Sequence, residues 1–519
     1  MAFLIEGSKF PPENWEFWYD KYFEYSAWYS GDSSYLADFY SSQLYNPVDS
    51  NSIFWSRLEL EERAMACNMP AAGDIAAVSA NLLFSEIPDI KFDEKSIAGD
   101  RINTFFEDNG IFNFFLESAE IAAALSGCFL KIEYDNRFSE FPIVSTIIPQ
   151  NAFPTFIRGR LWEVLFWREV RSEKGGSIIY RLFENRSRSL DGKNLLIQYK
   201  LYKGNDKSVG KEISIDSIEE TRSLMLQDVE LKNVYGLGVV YVPNMRPNRL
   251  LPGSNLGIND FNGSIPLMDS LDLSWTSLIR DIDNGLGRLF IDEELFQKEE
   301  DTILGDNKSN TRSFNMLERC FIKLNFSSSK YGSESYKPIE NVQFEMRIEE
   351  HLTACESIFK NIVSMCGYSP STFGFNTDGR AESGTALRIR ERKSFLTREK
   401  KSRYWQQCIK ELILQMQTFD NAVRNSSLIE VLEDATVELQ DSIVTDYTEL
   451  SNVIKNLDQA RAISTKMKVM TLHPDWDISK IDEEVNNIIK EEGLSNDNMF
   501  NFDEPNQDDN QNNGDNLNE

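Results

Sequence analysis

Residues 371–403 read STFGFNTDGRAESGTALRIRERKSFLTREKKSR, a polar loop that runs into a strongly charged segment. Four residues separate Gly379 from Gly384, and Thr385 follows, which is close to the spacing of a phosphate-binding loop. Such a loop needs a Lys directly after its second glycine, and a buried strand that leads into it. Thr385 occupies the place of that Lys, and the preceding residues GYSPSTFGFNTD are not strand-like. The stretch therefore does not predict nucleotide hydrolysis.

The 35 residues from Thr385 to Phe419 can form a single helix roughly 50 Å long, at ~1.5 Å per residue. Its first half is strongly basic, and its second half carries an apolar stripe of Trp405, Cys408, Ile409, Leu412 and Met416. A helix that changes character midway passes between two environments. The basic half is either a solvated face or a surface that binds acidic partners.

The 519 residues carry a net charge of −29, and a chain of this length is expected to form several structural units. A chain with this net charge is unsuited to tight binding of DNA phosphates, because such binding needs Lys and Arg side chains. The last stretch, FNFDEPNQDDNQNNGDNLNE (500–519), is almost purely Asn, Asp, Gln and Glu, and we expect a disordered acidic tail over 491–519. The six cysteines form no C-x-x-C pair, which is typical of reduced thiols. The longest apolar stretch, residues 121–130, is about half of what a bilayer span needs, and no membrane partner is expected.

Secondary-structure patterns change along the chain. Thirteen aromatic residues between 13 and 45 favour a buried core. Helical spacing follows within residues 54–90 and 109–127, and short β-branched and aromatic segments within about 128–242 predict a meander or small barrel. The Pro-, Gly- and Asn-rich stretch 242–263 reads as a boundary between units.

Two amphipathic helices are predicted on either side of a small insert. Residues 264–286 place Met268, Leu271, Trp275, Leu278 and Ile282 on one stripe. Residues 341–367 carry an equivalent stripe of Phe344, Ile348, Leu352, Cys355, Phe359 and Ile362. Between them, GRLFIDEEL and CFIKLNF have strand character, so the chain leaves on one helix, forms a small α/β insert and returns on another.

Catalytic chemistry finds little support in the sequence. Only two histidines occur, His351 and His473, and neither H-E-x-x-H nor G-x-S-x-G is present. His351 lies beside Glu349 and Glu350, where we expect it to be solvated. The 83 acidic residues follow no metal-binding pattern. We therefore predict no catalytic residue, no metal and no cofactor.

The order of these segments resembles the portal proteins of tailed double-stranded DNA bacteriophages, particularly long-tailed phages of Gram-positive hosts. The resemblance runs from about residue 50 to 492. It rests on the succession of helix, α/β insert, returning helix, Gly-rich loop and long helix. Local stretches agree, among them MPAAGDIAAVSANLLFSEIPDI, LSGCFLKIEYD, GYSPSTFGFNTDGRAESGTALRIRERKS and AISTKMKVMTLHPDWDISKIDEEVNNIIKEE.

The resemblance implies an α+β, mainly helical fold with wing, stem, clip and crown regions, long stem helices and a small β-rich part in the wing. The expected regions are a wing over 1–255 with its β-rich part at about 128–242, a stem helix over 256–286, a clip over 287–340, a returning stem helix over 341–370, a tunnel loop over 371–384, a long wing helix over 385–425, a crown over 426–490 and an acidic tail over 491–519.

The same resemblance suggests where functional residues lie. The tunnel loop would face DNA with Phe375, Asn376, Thr377, Asp378, Gly379, Arg380 and Glu382. Acids of the first stem helix are either rings of charge that line a channel or simply its solvated face: Asp269, Asp272, Asp281 and Asp283. Basic residues of the long helix are expected to contact neighbouring subunits in preference to DNA: Arg388, Arg392, Lys393, Lys400 and Arg403.

The implied protein is a non-enzymatic homo-oligomeric ring, usually of twelve subunits, at one capsid vertex of the virion. It would assemble in the host cytoplasm with scaffold and major capsid protein. It would dock the terminase large subunit, let double-stranded DNA pass without sequence preference, and then receive a head-completion or adaptor protein. Two alternatives stay open, a packaging ATPase or nuclease and a virion adaptor protein without a channel.

Overall fold

The structure of the chain is a computed structural model, and it is α+β. The described residues are 3–42, 52–92, 97–189, 192–224, 226–285, 288–292, 321–324, 339–342, 347–375, 384–424, 431–432, 435–439, 447–473 and 476–491. The chain divides into two units, Met1–Arg380 with Arg388–Ser442, and Ala381–Leu387 with Ile443–Glu519.

The aromatic N-terminal segment folds into two helices with buried inner faces, which confirms the predicted core. Trp18, Tyr22, Tyr25 and Trp28 recur at helical spacing in the first of these helices, and all four are buried. The helices up to residue 222 are α1 (Glu16–Ser30), α2 (Ser33–Ser42), α3 (Phe54–Arg57), α4 (Leu60–Arg63), α5 (Ala71–Phe84), α6 (Ile97–Asp108), α7 (Ile111–Leu125) and α8 (Glu219–Arg222).

The region 128–242 contains the predicted meander. A large sheet has the order β4-β5-β6-β7-β8 with all neighbours antiparallel, and a further strand, β9, also pairs with β7. A smaller antiparallel sheet has the order β10-β2-β3. The strands are β1 (Asp89–Phe92), β2 (Gly127–Glu133), β3 (Ile143–Ile147), β4 (Ala152–Ile157), β5 (Arg160–Glu173), β6 (Ile178–Arg188), β7 (Leu195–Asn205), β8 (Ser208–Ile213), β9 (Val229–Leu231) and β10 (Val239–Pro243).

The N-terminal segment covers the outer edge of β8. The Val209 amide donates to the carbonyl of Ser8 at 2.9 Å, and the Gly7 amide donates to the carbonyl of Gly210 at 2.8 Å. An exposed strand edge is a template for unwanted pairing, so this short segment protects the large sheet.

Two helices, α9 (Ile265–Asn284) and α10 (Ile348–Cys366), run antiparallel. Ser264 Oγ lies 3.4 Å from Cys366 Sγ at one end, and His351 Nε2 lies 3.0 Å from Asp281 Oδ2 at the other. Between them, β11 (Arg288–Asp292) pairs with β12 (Phe321–Leu324) in parallel and with β13 (Ile339–Val342) antiparallel. The predicted succession of a helix, an insert that contains strands and a returning helix is therefore confirmed, and the described residues of the insert do not test its predicted α/β character. The rest of the insert, and Phe344, lie outside the described residues.

The long basic segment forms a single helix, α11 (Gly384–Arg424), of 41 residues. Its predicted apolar stripe, from Trp405 to Met416, is buried among α5, α7 and the small sheet. The side chain of Gln415 also binds the edge of β10: its Oε1 accepts from the Val239 amide at 2.9 Å, and its Nε2 donates to the Val239 carbonyl at 3.3 Å. This helix is therefore an internal support of the first unit.

The predicted boundary at 242–263 is wrong. The segment lies inside the first unit, and Asn244, Asn248, Asp260 and Phe261 are buried. Asn248 Nδ2 donates to the Gly257 carbonyl at 2.7 Å. A buried side-chain amide therefore satisfies a backbone carbonyl that would otherwise be paired in a helix or sheet. Composition alone does not distinguish such a loop from an exposed linker.

The C-terminal part begins with β14 (Ala435–Glu438), which belongs to the first unit and pairs with β1. The second unit contains α12 (Tyr447–Gln459), α13 (Thr465–Leu472) and α14 (Ile478–Glu491). Ile454, Val469 and Ile481 of these helices are buried. Lys468 Nζ lies 2.5 Å from Asp458 Oδ1, and Lys466 Nζ lies 2.5 Å from Asp482 Oδ1.

Candidate functional site

A buried ion pair joins α11 to the segment that precedes α9. Lys401 Nζ lies 2.5 Å from Asp260 Oδ2, and their side chains are 1% and 0% exposed. Tyr368, which follows α10, donates from its hydroxyl to the same oxygen at 2.8 Å. Asn244 Nδ2 donates to Asp260 Oδ1 at 2.8 Å, and Lys401 Nζ also donates to Ser79 Oγ of α5 at 2.5 Å. Four separate segments therefore meet at this ion pair.

The electrostatics of this cluster are those of a structural site. Burial lowers the pKa of Lys401, while Asp260 opposes that shift. Burial likewise raises the pKa of the Tyr368 hydroxyl well above its usual value, with Asp260 adding to the effect. A charged pair with additional hydrogen bonds and so little exposure offers no access to a substrate. The cluster can therefore hold these four segments in fixed positions relative to one another.

The turn between α10 and the predicted tunnel loop is fastened to α11. Ser394 Oγ accepts from the Ser369 amide at 2.9 Å, and Thr397 Oγ1 donates to the Gly367 carbonyl at 2.6 Å. Gly367 has φ +95°, and a Cβ at this position would lie 2.9 Å from Thr397 Oγ1. Only glycine fits this approach, so the turn is held closely against the helix.

Of the predicted tunnel-loop residues, Phe375 lies within the described residues. Its ring centroid lies 5.4 Å from that of Phe359, and Lys360 Nζ lies 5.5 Å from its ring centroid. Phe375 therefore belongs to the fixed base of the loop. Asn376, Thr377, Asp378, Gly379, Arg380 and Glu382 lie outside the described residues, and their role stays a prediction.

Asp269 and Asp272 of α9 are buried, and the prediction that they line a channel or a solvated face is wrong. Asp269 Oδ2 accepts from the amides of Ile53 and Phe54, each at 2.9 Å, and Asp269 also binds Ser52 Oγ. Its carboxylate therefore caps the start of α3. Side chains that are already buried within one chain cannot form a surface on an assembly of chains.

Asp272, which lies one turn further along the same face of α9, binds the same segment of the chain. Its Oδ2 accepts from Trp55 Nε1 at 2.9 Å, and its Oδ1 accepts from the Met69 amide at 2.8 Å. Burial raises the pKa of Asp272 to about 8, and the charge of Asp269 adds to this, although the two donors oppose it. Thr276 continues the row, since its Oγ1 accepts from the Cys67 amide at 3.1 Å. Together they bind the segment 52–69 to α9.

Asp281 and Asp283, the remaining acids of α9, are half-buried. Hydrogen bonds from His351 and then Arg347 lower the pKa of Asp281. The Arg347 Nη2 to Asp281 Oδ2 distance is 3.2 Å. His351 is therefore a link between α9 and α10, and the expectation that it is merely solvated is wrong. A channel-facing role for Asp281 and Asp283 stays a prediction.

The predicted subunit-contact residues of α11 are divided by the structure. Arg392, Lys393, Lys400 and Arg403 are exposed, although Lys393 Nζ also donates to the Ser364 carbonyl. The side chain of Arg388 lies outside the described atoms. The neighbouring Arg398 and Lys401 are buried, and Arg398 Nε donates to the Leu82 carbonyl at 2.6 Å. One face of the basic half is therefore buried and stabilises the chain, and the other face is exposed and can contact another molecule.

Sequence reasoning missed Asp260, Tyr368 and Lys401. Lys401 lies in the basic half of the helix, although its spacing of four residues from Trp405 places both on the same side of the helix. The polar row Asp269, Asp272 and Thr276 has the spacing i, i+3, i+7, which is also the spacing of the solvated face of an amphipathic helix, so the sequence of α9 carries no signal for a second packed segment.

In the described part of the chain, no group of three or more His, Cys, Asp and Glu side chains is arranged to hold a metal ion. Within the same residues, no helix has both the length and the hydrophobicity needed to cross a membrane.

Comparison with known proteins identifies the class. Residues 203–494 match the family described as "Phage portal protein, SPP1 Gp6-like". This match covers more than half of the chain, and the chain belongs to this family of phage portal proteins. No curated protein matches the chain. A solved structure titled "Neck of empty GTA particle computed with C6 symmetry" is similar with a TM-score of 0.39 and 10% identity, over 78% of this chain and 88% of that chain.

The family assignment gives the protein its general role. Portal proteins are structural components of the phage particle, so the chain is a virion protein that acts in virus assembly as part of the head–tail connection.

Proposed function

We propose that this chain forms a closed ring, of twelve subunits, at a single capsid vertex. The ring is the channel for DNA during packaging and ejection. It docks the terminase motor first and a head-completion or tail protein afterwards, and ATP hydrolysis belongs to the terminase. The observation that carries this proposal is the portal family match over residues 203–494.

The order of elements in the chain supports a regional assignment. α9 and α10 are the stem helices, and the insert between them, with β11, β12 and β13, is the clip. The sheets and helices before α9, together with α11, form the wing, and α12 to α14 belong to the crown. The strand β14 is an exception within the expected crown range, because it pairs with β1 of the wing.

The tunnel loop is proposed to extend from a rigid base. Gly367 and Ser369 are fastened to α11, and Phe375 is packed on α10. A loop that contacts moving DNA must deform without disturbing the ring, and a fixed base confines that deformation to the loop. We assign the DNA-facing role to Asn376–Glu382.

The exposed basic residues of α11 are proposed to bind neighbouring subunits. A chain with a net charge of −29 repels its own copies unless exposed cations offset that repulsion locally. Arg392, Lys400 and Arg403 are such cations.

Native mass spectrometry and negative-stain imaging of the purified full-length chain test the proposal. We expect a closed ring of about twelve copies with an axial hole. A chain that stays monomeric at micromolar concentration, or an assembly without a hole, contradicts it.

A further inference from the structure

Helix α9 exposes apolar side chains on opposite sides. Leu273 is 48% exposed and Ile282 is 45% exposed. Their separation of nine positions, at about 100° per residue, places them about 180° apart around the helix axis. An isolated amphipathic helix has one apolar side, which it buries against its own core. A second apolar side therefore indicates a contact beyond the single chain.

On the side of Leu273, α9 forms one wall of an open groove. The other wall is the segment that Asp269 and Asp272 fasten to the helix, so the groove is built by well-defined contacts. Its volume is about 630 Å³, and its apolar lining includes Ile53, Phe54, Leu58, Pro266 and Leu273. Four charged residues also line it: Arg57, Glu62, Asp269 and Arg280.

On the opposite side, Ile282 lies near the end of α9 where the antiparallel α10 begins. Ile348 and Leu352 of α10 are 37% and 45% exposed there. These three side chains continue the stripes that are buried farther along both helices, and they extend past the core. We call Ile282, Ile348 and Leu352 the distal patch. Its charged neighbours in sequence are mostly acidic: Asp281, Asp283, Glu349 and Glu350, against the cations Arg280 and Arg347.

Ring symmetry decides how these two surfaces can be used. In a cyclic ring of more than two copies, each interface joins two different patches of the same chain. The two patches must therefore lie on different sides of the subunit and complement each other. A concave apolar groove and a protruding apolar patch on opposite sides of one helix meet this requirement.

We infer that the groove binds the distal patch of a second copy of this chain. This inference rests on the proposed ring. Charge supports the pairing, because Arg57 at the groove is exposed and the neighbours of the distal patch are predominantly acidic. Acidic neighbours meeting Arg57 orient the two copies, while the apolar side chains contribute most of the affinity.

Single substitutions test the contact. Leu273→Glu places a carboxylate in the groove, and Leu352→Glu places one in the distal patch. We expect both variants to lose the ring and to run as monomers at concentrations where the unaltered chain is a ring. Leu251→Glu is the matched control, since Leu251 is 50% exposed on a loop elsewhere and undergoes the same chemical change. It is expected to retain the ring.

A mixing experiment tests the head-to-tail arrangement. Leu273→Glu retains a normal distal patch, and Leu352→Glu retains a normal groove. An equimolar mixture, with one variant isotopically labelled, should therefore form heterodimers that native mass spectrometry resolves. Neither variant alone should form dimers. Homodimers of either variant, or the absence of heterodimers, overturn the inference.

The outcomes separate this inference from the proposed function. If the unaltered chain forms a ring and Leu273→Glu still does, the groove is not a subunit contact and the ring proposal stands. If the unaltered chain is monomeric, the ring proposal itself fails. Thermal unfolding should agree among all variants within about 2 °C, because the substituted side chains are exposed. Should Leu273→Glu unfold, Leu273→Asn replaces it in the same assays, with the same criterion.

Discussion

Lys401 and Asp260 form a buried ion pair with a separation of 2.5 Å between Nζ and Oδ2. It connects the long helix to the loop before α9, and the hydroxyl of Tyr368 joins it from the end of α10. In the regional assignment proposed above, this pair lies where stem, wing and tunnel loop meet.

Lys401→Met should strongly destabilise the chain. The substitution leaves the Asp260 carboxylate buried without its cation, and breaking a buried pair costs about 3–5 kcal/mol. Chemical denaturation of the purified chain measures this. Lys400→Met is the matched control, because Lys400 is exposed, and its effect should stay within about 0.5 kcal/mol. Adding Asp260→Asn to Lys401→Met should recover part of the loss. Equal stability of the two Lys variants would refute the structural role.

Asp272 should make stability depend on pH in an unusual direction. Burial raises its pKa to about 8 from a usual 3.8, so between these values the native state binds more protons at this group than the unfolded state. Its contribution to stability is fully present below about pH 4 and is lost as the pH rises through 8. The contribution to the slope is at most about 1.4 kcal/mol per pH unit.

Asp272→Asn tests this dependence. The amide keeps an acceptor for only one of the two donors, Trp55 and Met69, so we expect a loss of about 1–3 kcal/mol at pH 5. That loss should shrink towards pH 8, because the variant cannot ionise. Denaturation curves at pH 5, 6, 7 and 8 measure the difference. A loss that is constant across this range would show that Asp272 does not titrate there.

Gly236→Ala should loosen the contact between α11 and β10. Gly236 has φ +77°, and a Cβ there would lie 2.3 Å from Gln415 Cδ. Gly253→Ala is the control, because Gly253 has φ +91° with nothing within 4 Å of the added Cβ. Backbone strain of about 1–3 kcal/mol applies to both, and the clash applies to Gly236 alone. We therefore expect the larger loss of unfolding free energy for Gly236→Ala. Adding Gln415→Ala to Gly236→Ala should relieve the clash and restore part of the unfolding free energy. If it restores none, the loss in Gly236→Ala does not come from a clash with Gln415.

Deletion of Asn376–Glu382 should separate DNA handling from assembly. The proposed base of the loop, at Gly367, Ser369 and Phe375, stays in place in this variant. We expect an unchanged ring by native mass spectrometry and a loss of DNA packaging or retention in an in vitro packaging assay. Loss of the ring itself would mean that these residues contribute to subunit packing.

Apolar periodicity predicted the main elements of the fold. The stripes of α9 and α11, the meander and the helix–insert–helix succession were all readable, because burial of an apolar face imposes a fixed spacing on a sequence. The buried polar contacts were not readable in the same way. Asp269 and Asp272 look like solvated acids because nothing in α9 itself encodes the approach of residues 52–69, which lie some 200 positions away.

The same limit explains the boundary predicted at 242–263. Asparagine, proline and glycine are common in exposed linkers, and they are equally suited to a buried loop whose amides satisfy carbonyl groups. The difference lies in partners such as Asp260 with Lys401, which are distant in sequence. Local composition therefore predicts elements well and predicts their polar connections poorly.

The pairing of the N-terminal segment with β8 has a consequence for synthesis. Residues 7–10 leave the ribosome before their partners, which include the Ser208 hydroxyl that donates to the Ser8 carbonyl and follow 200 positions later. The segment must stay unpaired while the whole sheet is translated, since domains fold as their residues emerge.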